Sequence, residues 1–293
     1  MPYAILPSDE SVEAAFRRIL REEAEEAVAA ARGAGALGPR VHGMRKAVKK
    51  LRGLVRLVRP VLPGAKAGNR MLRDAGRGLS GLRDSAVMLH AAEGIAEGMD
   101  PARREALLSP FRAHAEDRAG EAEAAALPDF AAAMEAFLRE AEGWRLEEDG
   151  WAALEPGLES TWEAARDAMS AARRDPAAEA LHEWRKRAKD HWYQARLMAP
   201  IWPEAMRPHV AAADELGELL GEANDLAVLA GRLAAADLAP DLAPDLAEEA
   251  QARAEARRQA ILAEVFPLGR RLFAARAEHL LARWRVWWER RGD

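Results

Sequence analysis

The 293-residue chain contains no cysteine, and aromatic residues make up only 6% of it. The lack of cysteine excludes disulfides, thiolate catalysis and cysteine-ligated metal sites, and it is typical of proteins from a reducing compartment. No uncharged apolar run approaches the roughly 18 residues that a membrane-spanning helix needs. The first residues show neither the basic leader nor the apolar stretch of a signal peptide. These absences predict a cytoplasmic protein.

Charge is distributed unevenly along the sequence. The net charge of −5 taken alone argues against a polyanionic partner. Between residues 41 and 83, however, twelve Lys and Arg stand against a single acid, Asp74. The distribution of charge decides partners more than its sum does. The sequence therefore has a basic stripe set between acidic segments.

The sequence is rich in Ala, Leu, Glu and Arg, which are strong helix formers. No stretch alternates apolar and polar residues in the way that strands do. Helix starts are predicted at Ser8, at Pro39 with the proline in the first turn, and at Asp100, where an aspartate precedes a proline. The predicted fold class is all-α.

An internal repeat divides the chain. Residues 41–63 align with residues 181–203 at an offset of 140, and further on Asp84 aligns with Asp225 at an offset of 141. Two ordered matches at nearly one offset predict two copies of one helical unit, residues 1–148 and residues 149–293. The matched basic positions are His42 and His182, Arg45 and Arg185, Lys46 and Lys186, Lys49 and Lys189, and Arg56 and Arg196.

A helical wheel at 100° per residue gathers the cations of each segment on one face. The first basic face holds His42, Arg45, Lys46, Lys49 and Arg56, with Lys50 and Arg52 at its rims. The second basic face holds His182, Arg185, Lys186, Lys189, Tyr193 and Arg196. The opposite side of the first helix is apolar and is predicted to be core: Met44, Val48, Leu51, Val55 and Val58.

Two interpretations of the basic faces compete. Most charged helix faces are simply solvated. Like charges four residues apart repel each other, however, and this sequence repeats that arrangement twice. The copies also agree better at charged positions than at core positions, where Met44 is matched by Trp184 and Leu51 by His191. This comparison favours an anion-binding function for both faces.

The strings H-x-x-R-K-x-x-K, each followed by L-x-x-x-x-D, resemble the CHAD domain family, named for its histidine-containing α-helical repeat. The resemblance implies two four-helix bundles related by a pseudo-two-fold axis, with basic helices lining a positive groove between them. It also implies binding of inorganic polyphosphate and, as for some members, association with polyphosphate granules. The positions that match the family motif are His42, Arg45, Lys46, Lys49, Arg52, His182, Arg185, Lys186 and Lys189.

The sequence departs from the family pattern in the second copy more than in the first. The family often shows R-D-x-D-V after the basic helix, whereas Ala86 and Ala227 replace the second acid here. Asp190 stands where the first copy has Lys50. We therefore expect the second half of the groove to bind more weakly. Asp84 and Asp225 are expected to orient basic residues through a salt bridge or a helix contact.

Further basic or aromatic positions could widen the groove or simply be solvated. Arg118 and Arg258 match at the offset of 140, and four arginines of the basic stripe have no counterpart in the second copy: Arg70, Arg73, Arg77 and Arg83. The further candidates are Arg73, Arg77, Arg83, Arg118, Tyr193 and Arg258.

No other chemistry is indicated. The seven histidines form no HxxxH or HExxH pair, and the neighbours one turn from His42 and His182 are cationic, which disfavours a metal. There is no nucleophile beside a base, no phosphate-cradling glycine loop and no convergent set of carboxylates. We therefore predict a protein without cofactor or metal that binds polyphosphate and is not an enzyme.

Two alternatives stay open at this stage. The first is an accessory or an enzyme of triphosphate or polyphosphate hydrolysis, because domains of this kind are often joined to triphosphatase domains. The second is single-stranded nucleic-acid binding, which needs aromatic side chains among the cations, and only Trp192 and Tyr193 qualify.

Overall fold

The computed structural model describes residues 3–79, 81–117, 121–235 and 242–291. It is 84% helical, with eleven α-helices and no strand in these ranges, so the prediction of an all-α fold is confirmed. None of the helices in these ranges has the length and apolar character needed to cross a membrane.

Six helices form the first half of the chain and five form the second. The first half contains α1 (Val12–Arg32), α2 (Leu37–Leu57), α3 (Ala65–Gly78), α4 (Gly81–Ile95), α5 (Pro101–Asp117) and α6 (Glu121–Glu142). The second half contains α7 (Gly150–Arg174), α8 (Ala178–Met198), α9 (Pro203–Ala234), α10 (Pro244–Leu272) and α11 (Ala277–Glu289). Short 3₁₀ helices follow α2 and α8: Arg59–Val61 and Ala199–Ile201.

The first helix begins three residues later than predicted. Ser11, not Ser8, is the N-cap, and its Oγ accepts a hydrogen bond of 3.0 Å from the backbone N–H of Ala14. The prediction of Ser8 was wrong because the residues around it form a separate turn. There the Asp9 carboxylate accepts a hydrogen bond of 2.7 Å from the N–H of Leu6.

The other two predicted starts are confirmed. Pro39 lies in the first turn of α2, where its missing N–H costs no helical hydrogen bond. The Asp100 side chain accepts a hydrogen bond of 3.0 Å from the N–H of Ala102 and so caps α5.

Each half contains a bundle of four helices. In the first half α1 packs on α2 and α6, and α3 packs on the same two helices from the other side. In the second half α7, α8, α9 and α10 pack in a ring, and α11 packs on α7. The two bundles agree with the expected architecture, whereas their relation by a pseudo-two-fold axis stays a prediction.

The halves pack directly on each other. Helix α2 contacts α7 and α8, and the hairpin of α4 and α5 contacts α9 and α10. Gly157, inside α7, lies so close to α2 that a Cβ there would be 1.7 Å from the carbonyl oxygen of Leu57. A Cβ at Gly53 would lie 2.8 Å from the Cβ of Tyr193 on α8. Both glycines therefore permit close contact between the halves.

The core confirms the helical-wheel analysis of α2. The five apolar residues opposite its basic face are all at most 4% exposed: Met44, Val48, Leu51, Val55 and Val58. Burial of a side chain of this size stabilises the fold by about 1.5–3 kcal/mol. It also fixes the rotation of α2, so that the basic face points away from the core.

Candidate anion-binding site

The exposed members of the predicted set lie between residues 42 and 49 of α2 and between residues 182 and 186 of α8. The remaining members are partly covered by neighbouring helices. Exposed side chains are His42, Lys46 and Lys49 on α2 and His182 and Lys186 on α8. Partly buried side chains are Arg45, Lys50, Arg52 and Arg56 on α2 and Arg185, Lys189 and Arg196 on α8.

Arg56 takes part in an ion pair that joins the two halves. Its guanidinium donates a hydrogen bond to the carboxylate of Asp190 on α8, which also accepts one of 3.1 Å from Arg187. The Asp190 side chain is only 10% exposed. Burial raises the pKa of the Asp190 carboxyl, although the charges of Arg56, Arg187 and Arg52 oppose this shift. Asp190, which weakens the second basic face, thus binds α8 to α2.

Arg52 lies beside this ion pair and is partly buried. Its Nε donates a hydrogen bond of 3.0 Å to Oδ1 of Asn69 on α3. Burial and the positive charges of Arg56, Arg73 and Arg187 lower the pKa of Arg52 to about 10, although Asp190 opposes them.

Lys50 points towards α1. Its Nζ lies 2.6 Å from Oε1 of Glu23, and the two side chains are 14% and 6% exposed. Burial raises the pKa of the Glu23 carboxyl, against the hydrogen bond and charge of Lys50. The ammonium also lies over the ring of Tyr3, whose hydroxyl donates to the carbonyl oxygen of Lys50. This lysine thus contributes to packing of the first bundle.

Lys189 is held by two carboxylates of α9. Its Nζ lies 3.2 Å from Oδ1 of Asp214 and 2.6 Å from Oε1 of Glu218. The ammonium also lies 4.2 Å from the ring centroid of Trp192. A Cβ at Gly217 would come within 2.7 Å of the Lys189 Cδ, so this glycine makes room for the lysine.

The two basic faces meet at Glu218. Burial alone would raise the pKa of its carboxyl. The hydrogen bond from Lys189 and the charges of Lys189, Arg185 and Lys49 outweigh burial and lower that pKa. Lys49 belongs to α2, whereas Arg185 and Lys189 belong to α8. Cations of both halves are therefore close enough to act on one carboxylate.

A chain of hydrogen bonds orients His182. Its Nδ1 lies 3.0 Å from Oδ1 of Asn224, and the Asn224 amide donates a hydrogen bond of 3.2 Å to Asp225. With the amide oxygen directed at the ring, Nδ1 is the donor and Nε2 is left for another partner. Asp225 was expected to orient a basic residue through a salt bridge or a helix contact. It acts on His182 through the side-chain amide of Asn224, which was not predicted to take part.

Aromatic side chains cover the far end of the second basic face. The Arg196 guanidinium lies 4.9 Å from the ring centroid of Trp192 and 5.4 Å from that of Tyr3. Tyr193 is 5% exposed, and burial raises the pKa of its hydroxyl. Its ring lies edge-on to Tyr3 with centroids 6.1 Å apart. Tyr193 therefore packs between the halves.

The remaining candidates are dispersed. Arg73 and Arg77 lie on α3, where Asp74 binds the first at 2.9 Å and the second at 3.7 Å. Arg258 is 14% exposed and donates to the carbonyl oxygen of Pro176 and to Glu255. Arg118 and the side chains of Arg83 and Asp84 lie outside the described residues.

The acids that bind Lys189 are not among the residues predicted from the sequence, although the repeat contains a signal for them. At the offset of 141 that pairs Asp84 with Asp225, Asp214 aligns with Arg73 and Glu218 aligns with Arg77. The second half thus has carboxylates where the first half has guanidinium groups. Extending the alignment through α3 and α9 would have predicted this difference.

No metal site is found in the part of the chain that the structure describes. It contains no group of three or more His, Cys, Asp or Glu side chains arranged to hold an ion.

A family model described as the CHAD domain matches residues 10–234. The chain belongs to the CHAD domain family. This family is known for association with polyphosphate and triphosphate. The match covers α1 to α9 and therefore includes both basic helices.

Solved structures agree on the fold. The CHAD domain from the plant Ricinus communis is 21% identical, covers 93% of this chain and 94% of its own, and superposes with a TM-score of 0.64. PptA from Streptomyces chartreusis is 16% identical, covers 88% of this chain and 96% of its own, and has a TM-score of 0.61. At these identities the likeness concerns the fold alone. The comparison with curated proteins gives no match.

Proposed function

We propose that this CHAD domain binds inorganic polyphosphate, without cleaving it, along a track of cations that begins on α2 and continues onto α8. The observation that carries the proposal is the packing of α2 directly against α8, which brings the basic helices of the two halves side by side. Lys189 binds Glu218 at 2.6 Å, and the charges of Arg185 and Lys49 also act on that carboxylate. A flexible chain of phosphates that follows α2 therefore reaches the cations of α8. Family membership supports the same class of ligand.

The chemistry of the track suits polyphosphate. Every unit of that polymer carries negative charge, and it has no bases to be read. Binding then needs closely spaced cations and gains from the release of counterions. Arginine adds paired hydrogen bonds to phosphate oxygens, while lysine acts as a point charge. Lys46 and Lys49 on α2 are exposed and supply the second kind of contact.

The two halves of the track are unequal. On α8 Lys189 is paired with Asp214 and Glu218, and Lys186 is paired with Glu183. A phosphate must displace these carboxylates before it binds the lysines. Three members of the predicted set are exposed on α2, namely His42, Lys46 and Lys49, against His182 and Lys186 on α8. We therefore assign the larger share of the affinity to α2 and the smaller share to α8.

Single-stranded nucleic acid is the less suitable ligand. Base stacking needs accessible aromatic faces. Tyr193 is buried, and the ring of Trp192 is covered by the cations of Lys189 and Arg196. The aromatic residues that could have favoured nucleic acid are therefore occupied within the protein.

The test is a salt series of binding isotherms with long polyphosphate and with single-stranded DNA of equal charge. We expect polyphosphate to bind more tightly and its log affinity to fall with log salt at a slope that corresponds to several contacts. Lys46→Ala should reduce the slope by about one contact, whereas Arg271→Ala, an exposed cation at the end of α10, should leave it unchanged. A slope near zero, or tighter binding of DNA, contradicts the proposal.

The same samples test for turnover. We expect the length of the polymer to stay constant over hours, and a chelator to leave binding unchanged, because the described residues offer no set of metal ligands. Release of orthophosphate that stops when chelator is added would favour the hydrolase alternative.

A further inference from the structure

A basic cavity lies at the corner between α2 and α3, at the end of the first basic face, with which it shares Arg56. Its volume is about 310 Å³. The end of α2, the following 3₁₀ helix and the first half of α3 form its walls. The lining residues are Val55, Arg56, Arg59, Ala65, Lys66, Asn69, Arg70 and Arg73.

The lining contains five cations and no acid. Two of these cations already hold a carboxylate, because Arg56 pairs with Asp190 and Arg73 with Asp74. The other three form no ion pair with any residue in the described ranges, and they are exposed: Arg59, Lys66 and Arg70. The cavity therefore carries positive charge that the protein itself does not neutralise.

Two further features strengthen this positive potential. Helix α3 begins at Ala65 in the cavity wall, and its N-cap, Gly64, offers no side-chain hydrogen bond. The N–H groups of a first helical turn lack partners within the helix and carry the positive end of its dipole. On the inner side Asn69 accepts a hydrogen bond of 3.0 Å from the guanidinium of Arg52, which places another positive charge behind the cavity wall.

We propose that this cavity binds a terminal phosphate group, either the end of a polyphosphate chain or the end of a short oligophosphate such as tripolyphosphate. The class of ligand rests on the proposed function. A terminal phosphate gains a second negative charge above a pKa of about 6, whereas an inner unit of the chain carries one. A walled cluster of cations favours the doubly charged end, while an open row of cations along α2 suits the inner units.

The arginines suit such an end group chemically. A terminal phosphate presents three oxygens in a fork that matches the paired donors of guanidinium. Arg59 and Arg70 approach from different walls, the 3₁₀ helix and α3, and Lys66 adds a charge near the helix start. Arg56 and Arg52 connect the cavity to the basic face of α2. A chain held by its end here can therefore continue along that face.

The test compares three ligands by calorimetry: tripolyphosphate, long polyphosphate, and long polyphosphate with both ends capped by a neutral amine. The variant is Lys66→Ala with Arg70→Ala. Both side chains are exposed, so the fold should persist, and circular dichroism checks this. The control is Arg270→Ala with Arg271→Ala, which removes the same charge from the last turn of α10.

We expect the cavity variant to bind tripolyphosphate about tenfold more weakly, since it loses charge-assisted hydrogen bonds to phosphate. Uncapped long chains should lose affinity as well, while capped chains should bind the variant and the parent equally. The inference is overturned if the variant binds tripolyphosphate as the parent does, or if capped and uncapped chains lose affinity alike. If long chains do not bind the parent but tripolyphosphate binds through the cavity, the proposed function fails and this inference stands.

Discussion

Lys49 and Lys189 occupy matched positions of the repeat but have different surroundings. Lys189 is held by Asp214 and Glu218 on α9, whereas the aligned positions on α3 are the arginines Arg73 and Arg77. The two carboxylates lower the contribution of Lys189 to phosphate binding, because a phosphate must displace them first. The contribution of a cation to phosphate binding in this protein thus depends on the residue that faces it from the next helix.

Removing the Glu218 carboxylate, which competes with phosphate for Lys189, should strengthen binding of polyphosphate. We predict that Glu218→Gln raises the affinity for long polyphosphate at low salt by up to roughly fivefold, since an exposed ion pair of this kind is worth about 0.2–1 kcal/mol. Glu215→Gln is the matched control, because this exposed residue on the same helix carries the same charge. Equal gains in the two variants would mean that net charge acts, not release of Lys189.

A buried pair of histidines, His191 and His209, is expected to make stability depend on pH. Nε2 of His191 lies 2.8 Å from Nε2 of His209, and Trp162 packs against both rings. Burial and the charge of His209 lower the pKa of His191 well below 6.5. Burial and the charge of Arg283 lower the pKa of His209 to about 4. Both rings are therefore neutral in the folded protein near neutral pH.

Acid should destabilise the protein through this pair. An unfolded histidine takes up a proton below a pH of about 6.5, while the folded pair resists protonation. The stabilising effect is therefore complete above pH 6.5 and declines as the pH falls towards about 4. The lowered pKa of His209 corresponds to on the order of 3 kcal/mol of stability that is lost on acidification.

In thermal melts the parent should lose stability over this range more steeply than His209→Gln. The exposed His90→Gln variant should behave as the parent does, and parallel curves for all three would contradict the assignment.

Among the helices, the approach of α7 to α2 is the most demanding contact between the halves. A Cβ at Gly157 would meet the backbone of Leu57 at 1.7 Å, and backbone cannot move aside as a side chain can. We predict that Gly157→Ala destabilises the protein by about 1–3 kcal/mol or more. Gly43→Ala on α2 has nothing within 4 Å of the new Cβ, so it should be neutral or stabilising by up to about 1 kcal/mol. Chemical denaturation of both variants measures the difference, and similar values would show that the helices separate easily.

The sequence predicted the helices well because their signals are local. Helix formers, the apolar stripe of α2, the first-turn proline Pro39 and the cap at Asp100 act within a few residues of one another. Ser8 was wrongly chosen because two serines stand close together, and the competing turn at Asp9 could not be seen from residue types alone.

The partners of the cations were harder to predict because they lie far apart in the chain. Arg56 meets Asp190 across 134 residues, and Lys50 meets Glu23 across 27. A helical wheel assigns a side chain to a face but cannot say which neighbouring helix covers that face. The helical wheel placed Lys50 at the edge of the basic face. In the structure this edge faces α1, where Lys50 binds Glu23.

At the scale of the whole molecule, the two halves can act together on one ligand. A long polyphosphate bound on α2 holds its own remaining units near α8, so the second contact benefits from a high effective concentration. Tripolyphosphate is too short to gain in this way and depends on the cavity at α3. Chain length should therefore separate the contributions of the track and the cavity.

We predict that Arg45→Ala with Lys49→Ala weakens binding of long polyphosphate by about tenfold or more and leaves binding of tripolyphosphate nearly unchanged, because avidity is lost but the cavity is intact. Arg185→Ala with Lys189→Ala should have the same selectivity but a smaller effect, since Lys189 is already paired with Asp214 and Glu218. Competition titrations with chains of defined length measure both variants against the Arg270→Ala, Arg271→Ala control. If neither variant differs from that control with long chains, the cations of α2 and α8 are a solvated surface and the proposed function is wrong. If the α8 variant loses more than the α2 variant, the order assigned to the two halves must be reversed.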